Sequence, residues 1–451
     1  MTRFLTVGII SVWSRRNCLF AVALWVSLNP GALAQVTNHA ASPTGVLSLA
    51  EARQLAFERN WDLLAAKSGV DLATAQLVIA TEFPNPTASL STVKIGTHEN
   101  GTALGNDIWS RSYDTIAAVS QLIEIGGKRG ARKLAARAGI LGAKARFIDA
   151  KRILDQGVTK AYIGVLLAKA NARILTESAG FMRREADIAN QQFKAGDISD
   201  SNRKLIEINA AQFELQARQA EAAELQARLA VEVLMAVSDP KGQWTAAETL
   251  EELEPKLEPK PLIPAVGSLR PDVLAAEADL RSAEANLKLQ KALRIPDPTI
   301  SIQYEHNPPA GGPPVDTGGI GVSFPLPLWN RNGGNIKAAR ASVALYAEAL
   351  GKARNQASAD IAVAQSAYDE ASSRSRRYRE QVAPQSAKVR ESIAFAYEKG
   401  AATLLDFLNA EQTDNTVRLA VAQALSDAAS TATDLTAARQ VLSEKELNTH
   451  P

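Results

Sequence analysis

The sequence carries the same series of three motifs twice, in the same order. The segment Phe83-Pro84-Asn85-Pro86-Thr87 returns 212 residues later as Ile295-Pro296-Asp297-Pro298-Thr299. Residues 121–138 are matched 203 residues later by residues 324–341, and Phe193-Lys194-Ala195-Gly196 is matched by Tyr397-Glu398-Lys399-Gly400. Three matches in one order predict two internal structural repeats. Their period is far too long for a solenoid of short units, so each repeat is a large unit.

Proline and glycine divide each repeat into the same elements. A proline pushes the residue before it out of the helical conformation, so single opening helices are expected to end at Pro84 and Pro86 and at Pro296 and Pro298. A strand hairpin, a very long helix and a second helix follow. The predicted boundaries are a first repeat over 35–235 (hairpin about 87–123, helices about 129–194 and 199–235), a linker with a short helix over 236–269, a second repeat over 270–442 (hairpin about 299–328, helices about 337–399 and 403–442) and a C-terminal tail over 443–451.

Alternation of apolar and polar residues after each Pro-x-Pro motif predicts the strands. Ile300, Ile302 and Tyr304 alternate with Ser301 and Gln303. Each run has roughly the 9 to 11 residues that a tilted strand needs to cross a bilayer. Four aromatic residues near the strand ends are expected at the membrane interfaces, namely Trp109, Tyr113, Tyr304 and Trp329. The strands alone are equally compatible with a soluble hairpin that buries one face.

Four strands cannot close a membrane barrel, because an open sheet edge leaves unsatisfied backbone groups in lipid. Insertion therefore requires oligomerisation, and a trimer would supply 12 strands, an even number in the range of outer-membrane barrels.

The helices are too long for a compact domain. Residues 129–194 contain no proline, and at about 1.5 Å per residue a helix of this length spans about 100 Å. Only 5% of the residues are aromatic, and the long segments rich in Ala, Leu, Glu and Lys are typical of long or coiled helices. Gly196 and Gly400 follow the long helices, where glycine commonly ends a helix. Glycine pairs mark the turns from strand to long helix, namely Gly126 with Gly127 and Gly333 with Gly334.

Residues 1–34 are interpreted as a cleaved signal peptide. Arg3, Arg15 and Arg16 precede or flank an apolar run, and Ala32-Leu33-Ala34 is a small-residue cleavage site before residue 35. Cys18, the only cysteine, lies in this segment, so the mature chain is expected to have no disulfide and no thiolate metal site. No run of 18 apolar residues follows, so no transmembrane helix is predicted.

Composition and motifs argue against several function classes. The chain has 50 Lys and Arg against 48 Asp and Glu, so it lacks the basic excess that nucleic-acid binding requires. Its four histidines lie far apart, and no catalytic, cofactor or metal site is predicted. Gly126-Gly127-Lys128 lacks the full phosphate-loop pattern and is better explained as a turn. An enzyme is the least expected class.

The junctions at residues 121–129 and 326–335, the paired Pro-x-Pro motifs and residues 397–412 resemble the TolC-type outer-membrane factor family, over about residues 47–440. The two junctions are most similar to the CzcC-like branch, which serves heavy-metal resistance. The resemblance implies a mixed α/β, mostly helical TolC-like fold: a homotrimer with a 12-stranded barrel in the outer membrane of a Gram-negative bacterium, continuous with a helical tunnel through the periplasm. It also implies a periplasmic adaptor and an inner-membrane resistance-nodulation-division (RND) pump as partners.

The same resemblance implies where the functional residues lie. Gly196 and Gly400 would form the periplasmic tip and contact the adaptor, and Asp406 would form a ring of carboxylates at the periplasmic aperture. Asn409 stands where relatives can carry a second acid. A ring of three carboxylates attracts cations. Without the resemblance, Asp406 is an ordinary acid near a helix N-terminus and the two glycines are helix caps.

The leading hypothesis is an outer-membrane efflux channel for divalent heavy-metal cations. Within the same fold, the alternative is a channel for drugs, organic compounds or polypeptides of type I secretion. A periplasmic coiled-coil adaptor or scaffold is a different class, and the two hairpins that lead into helices of about 60 residues argue against it.

Overall fold

The computed structural model describes residues 42–93, 114–259, 269–307 and 315–442. Helices dominate this part of the chain. The elements are β1 (Gly45–Leu47), α1 (Leu49–Arg59), α2 (Trp61–Thr81), β2 (Thr87–Val93), β3 (Asp114–Leu122), α3 (Lys128–Ala195), α4 (Asp200–Leu234), β4 (Trp244–Ala246), α5 (Leu250–Leu253) with a 3-10 turn (Glu254–Leu257), α6 (Pro271–Ala292), β5 (Thr299–Asn307), β6 (Val315–Ser323), α7 (Gly333–Arg377), a π-helical turn (Tyr378–Val382), α8 (Ala383–Glu398) and α9 (Leu404–Arg439).

The opening helix of the first half is two helices and not one. Asn60 separates α1 from α2, and its side-chain oxygen accepts hydrogen bonds from the backbone N–H groups of Asp62 and Leu63 at 3.0 and 3.2 Å. Its amide nitrogen donates to the carbonyl oxygen of Leu234 at 3.0 Å. Asn60 therefore caps α2 and also ties the break to the end of α4.

The second long helix, expected over 337–399, differs in two ways. It begins earlier, at Gly333, and a π-helical turn over Tyr378–Val382 separates α7 from α8. Pro384 lies in the first turn of α8. Proline has no N–H to donate, and its ring clashes with the carbonyl group four residues earlier, so the backbone widens locally before it continues as α8.

Within the described residues, β2, β3, β5 and β6 form one antiparallel sheet in that order. The register places Leu90 opposite Ala117, Val119 opposite Ile302, and Ile302 opposite Ile320. The face that carries these residues is mostly apolar. The other face is mostly polar, with Ser89, Ser301 and Gln303 among its residues, although Ile116 and Leu122 of β3 also lie on it. On the apolar face Ile302 is 65% and Ile320 81% exposed. No second layer of the chain covers this face among the described residues.

The second hairpin is shorter than the expected 299–328. β6 ends at Ser323, because Pro325 and Pro327 cannot donate hydrogen bonds to a strand ladder.

The segment expected as a linker, 236–269, is a packed part of the molecule over its described residues. β4 pairs in parallel with β1, and Trp244 is buried with its ring stacked 6.2 Å from that of Tyr162 on α3. The buried carboxylate of Glu232 accepts hydrogen bonds from the backbone N–H of Lys241 at 2.7 Å and of Gly242 at 3.1 Å. These contacts fix the segment against α3 and α4.

The helices next to the sheet follow the same order as the strands. α2 packs on α3, α3 on α6, and α6 on α7, just as β2 pairs with β3, β3 with β5, and β5 with β6. β2 and α2 therefore lie at one edge, and β6 and α7 at the other. α2 is long and apolar enough to cross a membrane by length and composition, although it has no unbroken apolar run, and little of it is buried within the chain.

Candidate functional site

Two glycines end the long helices at the end of the molecule away from the sheet. Gly196 and Gly400 have φ of 85° and 74°, the left-handed conformation that side chains disfavour. The Asp197 N–H donates to the Gln192 carbonyl oxygen at 2.9 Å, and the Ala401 N–H donates to the Ala396 carbonyl oxygen at 2.8 Å. The same hydrogen-bonded ending therefore turns α3 into α4 and α8 into α9.

Asp406 lies in the first turn of α9 and forms a reciprocal cap with Thr403. The Thr403 N–H and hydroxyl donate to its carboxylate at 3.1 and 2.6 Å, and the Asp406 N–H donates to the Thr403 hydroxyl oxygen at 3.2 Å. Hydrogen bonds from the Thr403 side chain and backbone lower the pKa of Asp406. The carboxylate is therefore ionised, fixed in position and exposed.

Asn409 lies one turn after Asp406 on the same exposed face of α9. Both residues line a groove of about 420 Å³ between α8 and α9, together with Ser386, Val389 and Thr413. Behind them, the buried Phe407 stacks on Tyr397 of α8 with 4.9 Å between ring centroids. The apolar side of α9 is thus packed, and its polar side is left open.

A partly buried charge cluster that the sequence did not indicate joins α8 to α9 near this groove. The Arg390 guanidinium lies 3.4 Å from the Asp414 carboxylate and 3.7 Å from that of Glu411. The Ser386 hydroxyl donates to Asp414 at 3.0 Å. Burial raises the pKa of Glu411, against the attraction of Arg390. The acids lie three residues apart on α9, but their partner comes from another helix, so spacing alone could not reveal the cluster.

At the junctions between the sheet and the long helices, which were expected as barrel-to-helix junctions, the glycines of the two halves have different conformations. Gly126 and Gly127 have φ of 74° and 77° just before α3. Before α7 the left-handed residue is Asn332, with φ of 59°, while Gly333 and Gly334 form the first turn of the helix itself. The expected prolines lie directly before β2 and β5, namely Pro84, Pro86, Pro296 and Pro298.

The expected interfacial aromatics fall in different places. Trp109 and Tyr113 lie outside the described residues. Tyr304 lies on the apolar face of β5, and Trp329, 94% exposed, lies between β6 and α7.

No group of three or more His, Cys, Asp or Glu side chains that could hold a metal ion occurs in the described ranges. The site therefore consists of helix ends, an exposed carboxylate and a groove. An ionised, exposed carboxylate beside an open groove can attract a cation by its charge.

A sequence profile of the outer membrane efflux protein family matches residues 52–237 and 262–439. The chain is 26% identical over 376 residues to the cobalt-zinc-cadmium resistance protein CzcC of Cupriavidus metallidurans, covering 82% of this chain and 84% of CzcC.

Solved structures of similar shape include two outer-membrane proteins. The outer membrane protein VceC of Vibrio cholerae has a TM-score of 0.66 at 18% identity, with 86% of this chain and 95% of VceC covered. The open state of the MtrE outer membrane channel of Neisseria gonorrhoeae has a TM-score of 0.65 at 19% identity, with 86% and 88% covered. The profile matches well over half of the chain, so the protein belongs to the outer membrane efflux protein family, whose members are TolC-type outer-membrane channels and not enzymes.

Proposed function

We propose that the protein is the outer-membrane channel of a tripartite efflux system that exports divalent heavy-metal cations. The observation that carries the choice of substrate is the 26% identity to a cobalt-zinc-cadmium resistance protein over most of both chains. The exposed, ionised Asp406 at the helical end of the molecule supports a path for cations.

The channel is a homotrimer. Strands β2 and β6 are the edges of the four-stranded sheet, and an unpaired edge is not tolerated in lipid. Three copies placed edge to edge give 12 strands in a closed barrel. The outward face of that barrel is the apolar one, with Leu90, Val119, Ile302 and Ile320, and the polar face lines the lumen. Tyr304 and Trp329 lie at the membrane interfaces.

The helices extend the barrel into the periplasm. α3 has 68 residues, which at about 1.5 Å per residue is about 100 Å. The turns at Gly196 and Gly400 form the periplasmic tip and meet the adaptor, and Asp406 with Asn409 lines the aperture. The chain conducts passively, and an RND-type pump supplies the energy. Residues 1–34 act as the cleaved signal that exports the chain.

A deletion strain with plasmid complementation tests the substrate. Growth is measured across zinc, cobalt, cadmium, nickel and copper salts and across a panel of drugs and detergents. We expect sensitivity to divalent metals that the intact gene reverses. Sensitivity to organic compounds with no metal phenotype would leave the channel standing and overturn the cation assignment.

A further inference from the structure

The turn between β3 and α3 holds the Pro-x-Pro turn that follows α6. The Lys128 ammonium donates to the carbonyl oxygen of Ile295 at 2.6 Å and pairs with the carboxylate of Asp297, also at 2.6 Å. The Ile125 N–H donates to the same carboxylate at 2.9 Å. The Lys128 side chain is only 3% exposed. Lys128, in the first half of the chain, therefore makes a buried contact with the second half.

The next residue, Arg129, bonds in the opposite direction. Its Nε donates to the carbonyl oxygen of Thr81, the last residue of α2, at 2.7 Å. In the second half the amide of Asn332 also donates back to the preceding helix, to the carbonyl oxygen of Gln290 near the end of α6 at 2.8 Å. The match of residues 121–138 with 324–341 makes Arg331 the sequence counterpart of Lys128, although the left-handed residue before the long helix is Gly127 in the first half and Asn332 in the second.

Among the described residues, no further strand or helix of the same chain lies beyond Arg331, because β6 and α7 lie at the edge of the sheet and helix layers. The counterpart of Asp297 is Asn85, at the opposite edge, between the prolines that precede β2. Arg331 and Asn85 are both exposed. Neither side chain forms a hydrogen bond or an ion pair with another described residue. The donor, Arg331, and the acceptor, Asn85, thus lie at the two opposite open edges of a single protomer.

We propose that Arg331 of each protomer docks onto the Pro84-Asn85-Pro86 turn of the next protomer. The guanidinium donates to the Phe83 carbonyl oxygen and to the Asn85 side-chain oxygen, which stand where Lys128 finds Ile295 and Asp297. The partner is a second copy of this chain, because the strand order brings β6 of one copy beside β2 of the next. This inference rests on the proposed trimeric channel and identifies a residue contact that closes the ring.

Two exposed aromatic residues, Trp329 and Phe83, lie at the two edges that meet in this proposed contact between protomers. Trp329 corresponds to Gly126, where an added Cβ would lie 3.2 Å from the Cδ1 atom of Ile295. Ile295 corresponds in turn to Phe83, which is 67% exposed and carries the Arg129 guanidinium 3.7 Å from its ring centroid. Trp329 of one protomer covers Phe83 of the next, and both rings leave water when the trimer closes.

Cysteine crosslinking in outer membranes tests the contact. In a Cys18→Ser background, Asn85→Cys combined with Arg331→Cys is treated with a short bis-maleimide, and a covalent trimer is expected on a denaturing gel. Either single variant should give only monomer. Asp71→Cys with Arg331→Cys is the matched control, because Asp71 is exposed on α2, about 15 Å before the end of the helix that precedes the Pro84-Asn85-Pro86 turn. A trimer in mild detergent without crosslinking of the first pair would overturn the contact and leave the channel standing, whereas a monomer in mild detergent would contradict the trimeric channel itself.

A second variant asks whether Arg331 is the group that docks. Asn85→Asp reproduces the carboxylate of Asp297, so the half-life of the trimer in sodium dodecyl sulfate should lengthen about fivefold, as expected for a charge-assisted hydrogen bond. With Arg331→Ala in the same chain, the gain should vanish. A gain that persists without Arg331 would contradict the proposed contact.

Discussion

At the scale of single residues, Asp406 caps α9 together with Thr403, and we propose that its charge also acts at the aperture; mutation can separate the two roles. Asp406→Asn removes the charge and keeps an oxygen that accepts from Thr403. Because fewer carboxylates then face the aperture, cation preference should fall, as measured by reversal potential in a salt gradient across a planar bilayer. Thr403→Ala is the matched control: it should lower stability by about 1 kcal/mol through loss of the N-cap and leave the charge in place. Equal reversal potentials for Asp406→Asn and the parent would contradict the aperture role.

Glu411 should make stability depend on pH. Burial raises its pKa above the ordinary value of 4.5, so the folded chain holds this proton more tightly than the unfolded chain. Ionisation of Glu411 therefore costs folding stability as pH rises from the ordinary value through the raised one. Glu411→Gln keeps the neutral shape, so its thermal midpoint in detergent should match the parent near pH 4 and exceed it at pH 8.

A shift of the thermal midpoint by Glu411→Gln that is the same at pH 4 and at pH 8 would show that burial of this carboxylate does not govern the pH dependence.

Only part of the candidate site could be predicted from the sequence. Thr403 and Asp406 are three residues apart, so a cap between them depends on local spacing alone. The ion pairs of Arg390 with Glu411 and Asp414 join two helices, and their existence depends on how α8 and α9 pack. A single sequence carries no direct signal of that packing.

At the scale of elements, the order of helices and strands could be predicted, because proline and glycine mark helix ends in the sequence, whereas the TolC-like fold was expected from the resemblance of the junction motifs. Other features depend on distant contacts. The break at Asn60 is held by Leu234, which lies 174 residues away. Strands β1 and β4 have three residues each and pair across about half of the chain, and such short strands have no periodicity to detect.

Glycine at the helix ends and glycine inside a helix should respond to alanine in opposite ways. Gly400 has φ of 74°, so Gly400→Ala should lower stability by about 1 kcal/mol or more, because alanine resists the left-handed conformation. Gly157 lies inside α3, where an added Cβ meets open space, so Gly157→Ala should raise stability by roughly 0.5 to 1 kcal/mol. Thermal unfolding in detergent measures both. Destabilisation by Gly157→Ala equal to that by Gly400→Ala would show that the backbone conformation at Gly400 is not the cause.

At the scale of the whole molecule, the shared order of strands and helices supports the proposal that one protomer is incomplete. The sheet and the helix layer both have open edges at the same two sides. Apolar side chains are exposed there on α2 and α7, including Leu72, Ile79 and Val363. A closed ring of identical copies satisfies both layers with one interface, since the first edge of each copy meets the last edge of the next.

The register of the sheet predicts opposite effects for lysine at two adjacent positions of β5. Ile302 lies on the apolar face between Val119 and Ile320, and Gln303 lies on the polar face beside Ala118 and Gly319. If the apolar face contacts lipid, Ile302→Lys should cost about 2 to 4 kcal/mol near the bilayer midplane, and the urea-resistant outer-membrane trimer should be lost. Gln303→Lys adds the same charge to the water-filled lumen, so the trimer should persist in the urea-washed membrane fraction. Equal recovery of both variants would show that the sheet does not face lipid, and loss of Gln303→Lys alone would reverse the two faces.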